Sequence, residues 1–143
     1  MIFDHTGWLV ADLAAARRAL DALGAFEYST PCLDARQGVE IVFARDARGM
    51  CIELVQPVGP ESVVAGLMAR HGNGPYHACW QSTDLNADIE RLENAGHRLF
   101  SEPAPAPAFG GRLFCFLYHR DLGLVELVEA PADASAPTRD PAT

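Results

Sequence analysis

Apolar and polar positions follow two rhythms along this chain, and each rhythm occurs twice. Residues 5–10 read as a strand. Over 13–23 the apolar residues Leu13, Ala16, Leu20 and Leu23 return at the three-to-four spacing of a helix with one buried face. Asp12 stands just ahead of that run, where an acidic side chain caps free N–H groups and favours the helix dipole. Apolar runs of strand length then follow at about 26–31, 38–45 and 49–56. The same order returns: a strand at 77–82, Asp84, a helix over 85–95 carrying Leu85, Ile89 and Leu92, and strands at about 97–101, 111–118 and 123–129. Each half is therefore predicted to be βαβββ.

The two halves also superpose residue by residue. His5 falls on His77, Asp12-Leu13 on Asp84-Leu85, Leu20 on Leu92, Gly24 on Gly96 and Glu53 on Glu126. The His-to-Glu separation is 48 residues in the first half and 49 in the second. Such a repeat sets the architecture. The prediction is an α+β domain over residues 1–131, in which two βαβββ modules (2–57 and 75–131) form a curled mixed β-sheet around a metal cavity. Between the modules, Val63, Val64, Leu67 and Met68 predict a short helix. Residues 102–110 are rich in Pro and Ala, which disfavours a regular ladder; they are predicted to form a loop over the cavity mouth. The tail, 132–143, has almost no large apolar residue and is predicted to be disordered.

The metal enters through an anomaly. CIELVQP (51–57) and LVELVEAP (124–131) read as buried strands, yet each carries a carboxylate in its middle, Glu53 and Glu126. An unpaired carboxylate costs several kcal/mol or more to bury, so a partner is expected. Strand alternation gives His5, Gly7 and Leu9 one face, Cys51, Glu53 and Val55 another, and the same holds for His77, Cys79 and Gln81 and for Leu124, Glu126 and Val128. If the half-sheets face each other, His5, Glu53, His77 and Glu126 converge. Imidazole with carboxylate suits a divalent cation such as Zn, Mn, Co, Ni or Fe, and the lack of thiolate ligands favours an open, catalytic site over a structural one. His71, His97 and His119 lack this symmetry and are read as surface or loop residues.

Composition narrows the function. The formal net charge is −8, which argues against nucleic acid as a partner. No apolar run reaches the ~18–20 residues of a membrane span, and MIFDHTGWLV lacks a basic leader, so a cytoplasmic protein is expected. There is no lysine, which excludes Schiff-base chemistry on a lysine and leaves Arg or backbone N–H groups to hold any phosphate. Cys32, Cys51, Cys79 and Cys115 form no CxxC pair and read as small buried hydrophobes.

With these residues in place, the chain resembles the vicinal oxygen chelate superfamily over about residues 2–131. The superfamily fold is paired βαβββ units around a metal, and its ligand positions match His5, Glu53, His77 and Glu126. Within it, IELVQPVGPESVVAGLMARHGNGPYHACW and GGRLFCFLYHRDLGLVEL are most similar to the methylmalonyl-CoA epimerases. The stretch QGVEIVFA is also similar, and by that match Glu40 corresponds to their catalytic glutamate. The chain departs from the epimerase pattern in having Tyr76 before His77, Val63 after Ser62, and no lysine. The resemblance implies a divalent-metal-dependent isomerase that removes a proton α to a carbonyl or thioester, with Glu40 and Glu126 as acid and base. It also implies a small-molecule substrate, such as an acyl-CoA thioester, and a homodimer. Alternatives within the superfamily are a glyoxalase I-like lyase, a small-molecule-binding or resistance protein, and a natural-product tailoring enzyme.

Overall fold

A computed structural model describes residues 1–132; the tail predicted to be disordered lies otherwise outside the described residues. Two helices form where the periodicity places them: α1 (Leu13–Asp21) and α3 (Leu85–Asn94). Their starts are fixed by matching caps. Asp12 accepts a hydrogen bond from the Ala15 N–H (2.8 Å) and Asp84 one from the Ala87 N–H (3.0 Å). A third helix, α2 (Ala65–His71), joins the modules. Among the described residues no helix is long and apolar enough to cross a membrane.

The strands are β1 (Ile2–Leu9), β2 (Glu27–Tyr28), β3 (Cys32–Asp34), β4 (Val39–Arg45), β5 (Cys51–Pro57), β6 (Gly74–Ser82), β7 (Arg98–Leu99), β8 (Ala104–Pro105), β9 (Leu113–His119) and β10 (Gly123–Glu129). They form one open sheet in the order β2-β4-β5-β1-β6-β10-β9-β7, with β3 on β4 and β8 on β9. The order mirrors itself about the β1–β6 seam. β1 runs antiparallel to β6, and each is parallel to the last strand of its own module, β5 or β10.

Two expectations are corrected. The strand expected at 26–31 is shorter, β2 (Glu27–Tyr28), and a strand that was not expected, β3 (Cys32–Asp34), follows Pro31, which has no N–H to give a ladder. The Pro/Ala-rich segment does pair: Ala104 and Pro105 lie opposite Phe114 and Leu113 at the sheet margin, where proline is tolerated. The 3₁₀ turn that follows, Pro107–Phe109, carries Phe109 over His5 and Phe43, with ring centroids 5.8 and 5.6 Å away. The segment thus packs over the His5 side of the sheet, held by a ladder at one end.

Alternation divides the core into two layers. On the helix side, Val10, Leu13, Val42, Ala44, Ile52 and Leu54 pack under α1. Their counterparts Leu85, Ile89, Cys115, Leu117, Val125 and Leu127 pack under α3. Each fully buried side chain of this size contributes roughly 1.5–3 kcal/mol. On the other side, Leu9, Val39, Ile41, Phe43 and Val55 pack together in one half, and Cys79, Phe114 and Val128 in the other. All four cysteines are free thiols; Cys51, Cys79 and Cys115 are buried, and Cys32 is half-buried.

Candidate metal centre

Two adjacent rows of the cavity face carry the four predicted ligands. Across the strands, one row reads Phe43, Glu53, Gly7, His77 and Leu124. The next contains His5, Cys79, Glu126 and Phe116. In each row a small residue, Gly7 or Cys79, separates the two ligands, and these small residues are equivalent under the internal repeat.

Gly7 is needed for its missing side chain. A Cβ there would lie 1.9 Å from His77 Cε1, so the imidazole occupies the space any other residue would fill. His5 and His77 are buried, as are Glu53 and Glu126. The His5 Nε2 atom is 3.3 Å from Glu126 Oε2 and 3.5 Å from Glu53 Oε2; His77 Nε2 is 3.2 and 3.3 Å from the same oxygens. The two Nε2 atoms are 3.4 Å apart. One ligand atom from each of the four residues falls within 4.8 Å of all the others.

These distances describe convergence on a shared point. Glu126 Oε2 is buried and, despite its nearby nitrogens, makes no hydrogen bond among the described residues. Donors bound 2.0–2.2 Å from one cation stand about 3–4 Å apart, which is the spacing here. Two carboxylates and two neutral imidazoles also carry the charge that a divalent cation balances. The residues therefore fit such an ion, and the cluster could hold one.

In its absence protons serve the same balance. Burial opposes charging of His77, but the carboxylates of Glu126 and Glu53 outweigh it and push the pKa up to about 9. Burial likewise opposes ionisation of Glu126, but His77 and His5 pull it down to about 2. His5 is also raised: burial resists its charging, and Asp4, Cys79, Glu126 and Glu53 overcome that resistance.

Sequence reasoning missed Asp4. It accepts from His5 Nδ1 (2.7 Å) and from Gln81 Nε2, which leaves Nε2 of His5 turned to the cluster. Hydrogen bonding to His5 lowers the Asp4 pKa. The signal was an acidic residue directly before a ligand histidine. Strand alternation hides it, because a bulge between Phe3 and His5 puts the neighbours to joint use. The equivalent position before His77 is Tyr76. A second bulge turns it toward the cavity side, where it packs with the Leu9 cluster; His77 Nδ1 is left buried without a partner.

Glu40 is not brought to the cluster. It lies opposite Gln56, on the same face as Val42 and Ala44, toward α1. Gln56 itself accepts from the Leu13 N–H at the start of α1 (2.7 Å). The cavity positions of β4 belong to Val39, Ile41 and Phe43. Glu40 thus points away from the four-residue cluster, on the opposite face of β4 from Ile41 and Phe43. His71 is exposed; His97 and His119 are half-buried and stack on each other (4.7 Å), away from the cluster.

Beside the cluster lies a cavity of about 980 Å³ whose lining includes Leu9, Tyr76, Phe116 and Leu124 and none of the four cluster residues; Tyr76 and Phe116 pack on the His77 ring, 4.5 and 5.3 Å away. An open sheet of paired βαβββ units with two His and two Glu at its seam defines a metallo-fold class, and residues 4–116 match the glyoxalase/bleomycin resistance protein/dioxygenase superfamily. The chain belongs to that superfamily. It is 33% identical over 128 residues to the ethylmalonyl-CoA/methylmalonyl-CoA epimerase of Cereibacter sphaeroides, covering 87% of this chain and 94% of the relative. Among solved structures it is similar to methylmalonyl-CoA epimerase from Mycobacterium tuberculosis, with TM-score 0.78 and 28% identity over 94% of this chain and 91% of the other. It is also similar to a variant of the Streptomyces coelicolor methylmalonyl-CoA epimerase in complex with 2-nitronate-propionyl-CoA, with TM-score 0.78 and 26% identity over 92% and 99% of the two chains.

Two outcomes follow from this geometry. Gly7→Ala is expected to displace the His77 ring and weaken Mn²⁺ binding by about 10–100-fold in isothermal titration; unchanged affinity would rule the cluster out as the site. The metal-free protein should be most stable between pH 4.5 and 6.5. The raised His77 pKa gives stability that is complete below 6.5 and lost as pH rises through about 9. The lowered Glu126 pKa gives stability present above 4.5 and lost as pH falls through about 2. A melting temperature that climbs between pH 6.5 and 9 would contradict this.

Proposed function

We propose that this protein is a divalent-metal-dependent epimerase acting on methylmalonyl-CoA or a near analogue, with His5, Glu53, His77 and Glu126 as the metal ligands. The observation that carries this reading is the buried two-His, two-Glu cluster beside an apolar cavity, in a chain whose relatives are named as epimerases of these thioesters. A cation held there supplies Lewis-acid stabilisation of the enolate that forms when the proton α to the thioester leaves.

The chain's own residues do the rest. Epimerisation needs one group to take the α-proton from one face and another to return a proton on the other. Glu126, whose Oε2 makes no hydrogen bond among the described residues, takes one role. Its repeat counterpart Glu53 comes from the other module and takes the second, since Ile41 occupies the cavity face where Glu40 was expected. Asp4 keeps His5 in the tautomer whose Nε2 faces the cluster. Phe43, Phe109 and Phe116 pack around the two histidines and exclude water from the reacting centre.

The test is proton NMR of methylmalonyl-CoA in D₂O with Co²⁺-loaded protein. The α-proton signal should disappear. Glu126→Gln should slow that loss by on the order of 100-fold or more, whereas Glu40→Ala should leave the rate within about twofold, as expected of a residue on the helix face. Absence of exchange in the unaltered protein would sink the epimerase reading.

We also propose a homodimer. On the outer face of the seam, Phe3 and Trp8 are exposed, and Phe3 packs edge-to-face on Trp80 (5.6 Å). Trp80 is half-buried beside the α3 cluster, while Phe3 next to it and Trp8 stay exposed. Trp8 and Trp80 are equivalent under the repeat, so this face has the approximate two-fold character that a self-complementary contact uses. Sedimentation should show a dimer that Trp8→Glu converts to monomer; a monomer in the unaltered protein would refute the proposal.

A further inference from the structure

The cavity has a polar end that the cluster chemistry does not use. Its inner wall is apolar, with Leu9, Leu67, Phe114, Phe116 and Leu124, and its outer lining includes Arg36 and Arg70. We propose that Arg36 and Arg70 form an anion clamp at the cavity mouth for the phosphate-bearing end of a coenzyme A thioester. The proposal rests on the epimerase reading, and it names the residues that would distinguish CoA esters from shorter thioesters.

The chain carries a net charge of −8, which repels an anionic ligand unless cations are placed locally. With no lysine, those cations must be arginines. Neither Arg36 nor Arg70 makes an ion pair among the described residues, whereas Arg91 pairs with Asp88 and Arg120 with Asp121. The guanidinium of Arg36 lies over the Phe114 ring, 5.8 Å from its centroid, a contact that holds the head group at the cavity wall. Glu102 is the acidic member of the same lining.

The backbone that presents these arginines is built with unusual care for a surface turn. Asp34 is buried, with 2% of its surface exposed. Its Oδ1 accepts from the N–H groups of Arg36 and Gln37, both at 3.0 Å, and its Oδ2 from Gln37 Nε2 at 2.9 Å. Its carbonyl accepts from the Gly38 N–H (2.8 Å). A buried carboxylate is thus committed to one short turn. That turn is tied in turn to the segment leading into α2: Gly38 O accepts from Val58 N–H (2.7 Å) and Gln37 O from Val63 N–H (3.0 Å). Gly38 has φ +65°, and a Cβ there would lie 3.0 Å from Ser62 Cα, so this close approach needs glycine. The turn bearing Arg36 and the segment leading to Arg70 are therefore joined by backbone hydrogen bonds. A guanidinium offers a planar fork to phosphate oxygens, and two at one cavity mouth select a ligand whose charge lies beyond an apolar stem.

The test compares binding of CoA and of pantetheine, which lacks the nucleotide and its phosphates, by isothermal titration calorimetry on the full chain. The unaltered protein should prefer CoA by about tenfold or more, and the preference should shrink as salt rises. In the Arg36→Ala/Arg70→Ala double variant the two ligands should bind alike, with pantetheine affinity unchanged. Equal binding of both by the unaltered protein, or a preference that survives in the double variant, overturns the clamp. Asp34→Asn keeps both guanidinium groups while loosening the turn; it should lower the CoA preference part of the way, and an undiminished preference would also count against the proposal. Proton exchange separates the two claims. CoA preference that depends on both arginines, without exchange of methylmalonyl-CoA, keeps the clamp and removes the epimerase reading. Exchange with a KM unaltered by the double substitution keeps the epimerase and removes the clamp.

Discussion

Four polar side chains share one dry point, and the architecture around them can be read as the means of keeping them there. Two carboxylates within reach of each other in a low-dielectric interior repel, and each has lost its water. The arrangement is tenable because two imidazoles interleave with them and because the set can share a cation or, failing that, protons. The pKa shifts of His77 and Glu126, in opposite directions, record that mutual dependence. Removing one member leaves three groups arranged for four, so the cluster constrains the seam strands far more tightly than an apolar core of the same size would.

Much of this was legible in the chain. The duplication showed through matching helix signals and matching His and Glu positions, and the two carboxylates stood out because they interrupt strands with no exposed face. What the sequence concealed has a common cause. The face of Glu40 could not be read from the short match QGVEIVFA, because a shift of one residue inverts a strand. Asp4 and Tyr76 were passed over because bulges break the period-two rule at those residues. The strand expected at 26–31 stopped short of Pro31 and another formed beyond it, and Ala104-Pro105 formed a ladder that their composition argued against. Asp34, whose hydrogen bonds all run to residues within four positions, carried no periodic signal at all. Period and repeat describe elements; single-residue departures from period decide where side chains point.

The two modules are alike in plan and unlike in detail. Gly7 and Cys79 fill equivalent gaps between ligands, yet only the glycine admits the imidazole of the opposite module. Asp4 anchors one ligand histidine; its counterpart Tyr76 leaves the other unanchored and lines the cavity instead. The first module contributes the turn at Asp34 and the arginine it presents. The duplication thus kept the donors and the fold while the positions beside them took on separate tasks.

Each module offers one imidazole and one carboxylate, which makes it a two-toothed chelator, and the modules meet along a single antiparallel seam. Parting β1 from β6 would turn one four-donor site into two weak ones. Retention of an ion and closure of the seam are then a single equilibrium: whatever clasps the halves tightens the ion, and the ion clasps the halves in return. A cation held in such a place would be a rivet through the seam, fastening strands of one module to strands of the other.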